Sequence, residues 1–231
     1  MRTLRHIHSG IFLISLGLVS QSVAQPQEDL DISSSGYIQS SDVDRGAAIS
    51  GGDPIVGLEI VGALDSGLYG LADSKSRQTT DRNAGLESRL GIGYATDFSN
   101  DLSGNINAAN TWLLGPGDNE DFFEITGGMT YSQPSWQLRG EAILDFEGPD
   151  STLQGEWMYT PAYEWFGFIG GGFAAFAEDR EDRVFASGGL GRRWQQLDVT
   201  AAYHTSSLSK DELNGIETDP DQFLLRLRVR Y

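Results

Sequence analysis

Phe223-Leu224-Leu225-Arg226-Leu227-Arg228-Val229-Arg230-Tyr231 is the stretch whose reading decides the fold. Side chains of a strand alternate between two faces with period two. Phe223, Leu225, Leu227, Val229 and Tyr231 therefore share an apolar face. Leu224, Arg226, Arg228 and Arg230 share the other. Three arginines cannot point into a dry core without a heavy desolvation cost. Both faces are satisfied when the apolar one meets lipid and the arginines meet a wet lumen. The stretch reads as the closing strand of a transmembrane β-barrel. On this register, Leu227→Arg is expected to disturb folding, and loss of Arg228 to alter conduction more than folding.

The other end of the chain points to export. Arg2 and Arg5 precede the apolar run Ile11–Val19, and Ser22-Val23-Ala24 supplies a small-x-small cleavage site. That pattern predicts a signal peptide over 1–24, with Gln25 at the mature N-terminus. The run is short of the ~20 apolar residues a spanning helix needs. With no cysteine in the chain, a lipid anchor on a cysteine is not expected.

Composition narrows the classes further. The net charge is −17, and Arg2 and Arg5 are the only charged residues of 1–24, so the remainder is more acidic still. Such acidity argues against nucleic acid as a partner. Glycine numbers 29 of 231 residues, above the usual share of about 7 %. Five Trp, eight Tyr and eleven Phe are too many for a disordered acidic chain.

Alternation sets twelve strands, expected near 36–46, 54–64, 67–73, 84–96, 101–112, 122–132, 135–146, 152–160, 164–177, 183–194, 197–206 and 222–231. Leu86, Leu90, Ile92 and Tyr94 oppose Glu87 and Arg89. Trp136, Leu138, Ala142 and Leu144 oppose Arg139, Glu141 and Asp145. Connections alternate between tight turns, such as Asp65-Ser66, Gln133-Pro134 and Gln195-Gln196, and longer acidic loops, such as Leu113–Asp121 and Ser207–Asp221. Short turns at one end and long loops at the other are the mark of an up-and-down barrel. The expectation is an all-β, antiparallel transmembrane barrel over 36–231, behind a short polar periplasmic leader, 25–35.

The opening segment, Gly36-Tyr37 through Asp44-Arg45-Gly46, with Gly52-Asp53-Pro54 and then Gly67-Leu-Tyr-Gly-Leu-Ala72, resembles the TorF-type porins. The likeness covers about the first third of the chain after the signal. Asp44 stands where that family's pattern has an aromatic residue before Arg45. The resemblance implies an outer-membrane barrel of channel function and no catalytic residues.

Lumen-side parity gathers Glu59, Glu87, Arg89, Glu124, Arg139, Glu141, Glu156, Arg226, Arg228 and Arg230 as candidate pore-lining residues, with Asp145 beside them. Arginines facing carboxylates across a passage select solutes by charge and size. The plainer alternative is that these charges pair and fill the lumen, because a twelve-strand barrel lies between the filled and the open sizes. If Glu124, Glu141 and Glu156 neutralise the arginine row, weak selectivity follows.

A second constellation, His204-Thr205-Ser206 with Glu217 downstream, resembles the His-x-Ser and acid of outer-membrane lipid A deacylases, where histidine activates serine. Because Val199 and Tyr203 set the lipid face, His204 and Ser206 are expected inside, away from a lipid substrate. A polar lumen pair is the simpler reading. The functional expectation is a channel for small polar solutes or ions, with a hydrolase or a non-conducting structural or adhesive barrel as alternatives. Outer-membrane lipid and lipopolysaccharide are the expected surroundings. The sequence calls for no cofactor and no metal, and it sets no oligomeric state.

Overall fold

The computed structural model describes residues 29–41, 43–44, 47–48, 53–78, 84–115, 118–146, 150–162, 164–176, 182–207, 212–213, 216–217 and 221–231. The signal segment lies outside them. Among the described residues, twelve long strands form one closed antiparallel barrel: β1 (Leu30–Gln39), β4 (Ile55–Leu64), β5 (Leu68–Gln78), β6 (Ala84–Asp97), β7 (Leu102–Gly115), β8 (Asp118–Gln133), β9 (Trp136–Asp145), β10 (Ser151–Ala162), β11 (Trp165–Ala175), β12 (Arg183–Trp194), β13 (Leu197–Ser206) and β16 (Asp221–Arg230). Two-residue ladders join β2 (Val43–Asp44) to β3 (Ala47–Ala48), and β14 (Glu212–Leu213) to β15 (Ile216–Glu217), in two of the longer connections. Each long strand pairs with its successor in the chain, apart from the closure of β16 onto β1.

The apolar positions face outward. Ile92 and Leu190 keep 68 % and 66 % of their surface, and Val56, Leu58, Ile60, Leu138, Leu153, Ile169, Phe223 and Leu225 are exposed with them. A water-soluble domain rarely leaves an apolar patch above a few hundred Å² uncovered; a lipid-solvated barrel requires one. Trp136, Trp157, Trp165 and Trp194 stand on this outer face close to the tight turns, with Trp136 5.5 Å from Tyr131 between ring centroids. Trp112 stands towards the opposite end of β7, whose neighbouring strand carries the Phe123–Phe146 contact, 5.9 Å between centroids. Aromatic side chains gathered towards both ends of the strands match the interfacial girdles of a spanning barrel.

Strand parity is as expected; several strand ends are not. β1 begins at Leu30, not Gly36, and ends at Gln39, with Ser33, Ser35 and Gln39 buried inside and Leu30, Ile32 and Ile38 exposed outside. The serine run Ser33–Ser35, preceded by Asp29 and Asp31, conceals that alternation. At the long-loop end, 74–78 of the expected loop 74–83, and 113–115 and 118–121 of the expected loop 113–121, are strand. Ser74 Oγ lies 2.9 Å from Ser88 Oγ on the outer face, and Ser76 Oγ accepts from the Val56 amide at 2.9 Å. Beyond the lipid both faces of a strand can be polar, so the apolar/polar alternation stops before the strand does.

Glycine has a specific use inside the barrel. Tyr37 lies directly opposite Gly57, Tyr69 opposite Gly93, Phe166 opposite Gly191, Phe168 opposite Gly189 and Phe185 opposite Gly172. In each pair the ring occupies the space that a glycine Cβ would take. The aromatic ring covers backbone that glycine leaves bare, and the wall stays thin. Gly191→Val is expected to lower the unfolding free energy by about 1–3 kcal/mol, and Phe166→Ala should relieve it, because the three atoms nearest a Cβ there all belong to that ring. Gly189→Val should resist the equivalent rescue by Phe168→Ala, since its Cβ also meets the Ala201 carbonyl at 2.6 Å. Urea unfolding of the refolded barrels separates the two cases. Equal rescue at both sites would refute the interlock.

Candidate functional site in the barrel interior

The arginine row of β16 faces inward, and each arginine has a defined partner. Arg228 pairs with the Glu59 carboxylate of β4 and donates from Nε to Ser35 Oγ at 3.1 Å. Because β1 lies between β16 and β4, this ion pair reaches over a whole strand. Arg230 pairs with Asp198 Oδ1 at 2.7 Å and donates to the Gln195 carbonyl at 3.1 Å. Arg226 donates to Gln39 Oε1 at 2.6 Å and lies 5.2 Å from the centre of the Tyr37 ring. Arg193 joins the same group through Asp198 at 3.4 Å. Within the row, Glu59 pairs with Arg228, and Asp198 with both Arg230 and Arg193.

Glu124, Glu141 and Glu156 lie on β8, β9 and β10. Glu124 lies 3.8 Å from Arg89, and Glu87 pairs with Lys75 at 3.3 Å. Glu141 accepts from Arg139 at 2.8 Å and from Gln154 Nε2 at 2.7 Å. Glu156 sits directly across from Arg139 in the β9–β10 register, yet the guanidinium goes to Glu141. Asp198, Asp73, Lys75, Arg77, Arg183 and Arg193 add further inward charge and were not among the sequence candidates. Asp198 has the parity of an inward residue beside Leu197 and Val199, so that signal was present. Asp73 and Lys75 lie where the third strand was expected to end.

The interior is not a packed apolar core. Buried hydrophobic residues are few and mostly small: Ile55, Ala95, Ala109, Ala174, Ala202 and Leu224. Buried polar ones include Asn107, Thr111, Thr126, Thr130, Glu124, Glu141 and Arg228. Phe166, Phe168 and Phe185 face inward but remain half-exposed. Eight-strand barrels fill their centre with side chains, and sixteen-strand barrels leave a channel. This interior has a charged wall and side chains that remain open to it.

No hydrogen bond joins His204 to Ser206 among the described residues. His204 and Ser206 both face inward from β13, on the parity that excludes lipid, and the buried Ser206 Oγ has no hydrogen-bond partner among the described residues. A serine nucleophile needs its histidine within hydrogen-bond reach. The backbone of Glu217 lies in the separate β14–β15 ladder, opposite Glu212.

Solved structures share this architecture. The NanC porin superposes with a TM-score of 0.62 at 9 % identity, over 87 % of this chain and 98 % of that one. The KdgM porin gives 0.60 at 11 % identity, over 87 % and 97 %. LpxR from Salmonella typhimurium gives 0.54 at 7 %, over 86 % and 99 %. The fold is shared. No protein-family model matches the chain, and no curated protein matches it in sequence.

Proposed function

We propose that this chain is an outer-membrane, porin-like channel for the passive diffusion of small polar solutes or ions, exported through the segment 1–24 and related to the TorF-type porins. The observation that carries the reading is the pairing of an exposed apolar exterior with an interior built from ion pairs and half-exposed side chains. A purely structural barrel needs the first of these and has no need of charged side chains left half-exposed along a lumen. The fold shared with the KdgM and NanC porins supports the same reading, as does the opening motif from Gly36 to Gly46.

Selectivity follows from the partners. Glu59 and Asp198 stand against Arg228 and Arg230, which lowers the positive charge these two arginines present to the lumen. The acidic long connections enrich cations at one mouth, though exposed charges more than about 8–10 Å away are largely screened in physiological salt. The refolded chain in a planar bilayer should give unitary conductance steps in potassium chloride. Under a salt gradient its reversal potential should show a weak preference for potassium. Absence of both conductance and swelling of protein-loaded liposomes would overturn the channel reading. Strong anion selectivity would show instead that the arginine row acts as free charge.

A further inference from the structure

We propose that the recess around Gly170 is a lumenal binding subsite for solutes carrying an ammonium group, an assignment that rests on the channel reading and gives it a substrate class. Gly170 of β11 lies opposite Glu156 of β10 on one side and Ser187 of β12 on the other. A Cβ on Gly170 would meet the Gly155 carbonyl at 2.9 Å, and Glu156 Cβ and Ser187 Oγ at 3.4 Å. Any larger side chain would therefore fill the recess. Its absence leaves a cavity of about 110 Å³, walled by Arg139, Glu141, Gln154, Glu156, Phe185 and Ser187. A water molecule's share of liquid volume is about 30 Å³, so the cavity has room for a terminal amine with its neighbouring carbons.

Charge decides what enters. Arg139 is the one cation in the wall and faces two carboxylates, Glu141 and Glu156. It pairs with Glu141, whose other oxygen accepts from Gln154. Glu156 makes no hydrogen bond or ion pair among the described residues. Whichever carboxylate the guanidinium takes, the other carboxyl group is left without it in the recess. Anions are thereby disfavoured. A calcium ion needs six to eight oxygen ligands, and no group of three or more candidate metal-binding residues occurs among the described residues. An ammonium needs less: one carboxylate, a hydroxyl such as Ser187 and an aromatic face. Phe185, held over Gly172, supplies the face, towards which a cation is drawn by the ring quadrupole.

The test uses the full chain refolded in detergent, titrated calorimetrically with 1,4-diaminobutane and, as the uncharged control, 1,4-butanediol. The diamine should bind and the diol should not. Glu156→Gln should weaken diamine binding by about tenfold or more, and Ser187→Lys, which places a cation in the recess, should do the same. Glu164→Gln, on an exposed turn, should leave binding unaltered. Equal binding of the diol, no binding of the diamine, or unchanged affinity in both recess variants would overturn the subsite. Bilayer recordings on the same preparations separate the two readings. Glu156-dependent binding without conductance would remove the channel and keep the subsite. Conductance without diamine binding would do the reverse.

Discussion

Arg228→Leu is expected to lower the unfolding free energy of the refolded barrel by about 3 kcal/mol, the lower end of the range for breaking a buried ion pair. The arginine side chain is 8 % exposed and its partner Glu59 18 %, so the carboxylate would be left mostly desolvated, with only the Ser35 hydroxyl and the less direct charge of Arg226 to offset it. The Ser35 hydroxyl would lose its guanidinium donor as well. The pair adds a folding cost to the change in conduction expected from the sequence. Because the damage comes from the orphaned partner, Glu59→Gln in the same chain should recover more than half of it. A double-mutant cycle by urea unfolding measures the coupling. Simple additivity of the two losses would show that Arg228 and Glu59 do not depend on one another.

Leu227→Arg should fail for the opposite reason. Leu227 is 42 % exposed on the outer face between Leu225 and Val229. A charge on the lipid face near midplane costs about 2–4 kcal/mol, and no carboxylate stands near it on that side of β16. Assembly yield in cells and heat-modifiable migration on gels should both drop, while the same substitution at the inward neighbour Leu224 should be better tolerated. If Leu227→Arg assembles normally and Leu224→Arg does not, the inside and outside of β16 are exchanged.

Much of this was legible in the chain because a strand's period of two survives any error in its length. Once Leu225 and Leu227 face lipid, Arg226 and Arg228 must face inward. The same parity places Glu59, Arg139, Glu141 and His204 without knowledge of where their strands end. Strand ends were harder, because Ser74, Ser76 and Ser88 are polar on the outer face, where no lipid enforces alternation. Partner choice was not legible at all. Arg228 meets Glu59 across 169 positions of chain, a match set by barrel closure and register rather than by any local spacing. The empty space at Gly170 was equally hidden, since it depends on which side chains three neighbouring strands bring opposite one another.

The closing seam has a consequence for the time course of folding. β1 meets β16 through the short ladder Ser35–Gln39 with Arg226–Arg230, extended by backbone bonds between Ser34 and Tyr231 and from Ser40 to Leu225, whereas β7 and β8 pair along Leu102–Gly115 and Asp118–Tyr131. Every other barrel pairing joins strands that follow one another in the chain; the seam joins its two ends. Loop-closure entropy and high contact order make such a pairing late and slow. Until it forms, a twelve-strand sheet would carry two open edges that any other strand could extend. The guanidinium that reaches past β1 to Glu59 then acts as a latch. It adds little to the rate at which the ends meet, and it sets how seldom they part.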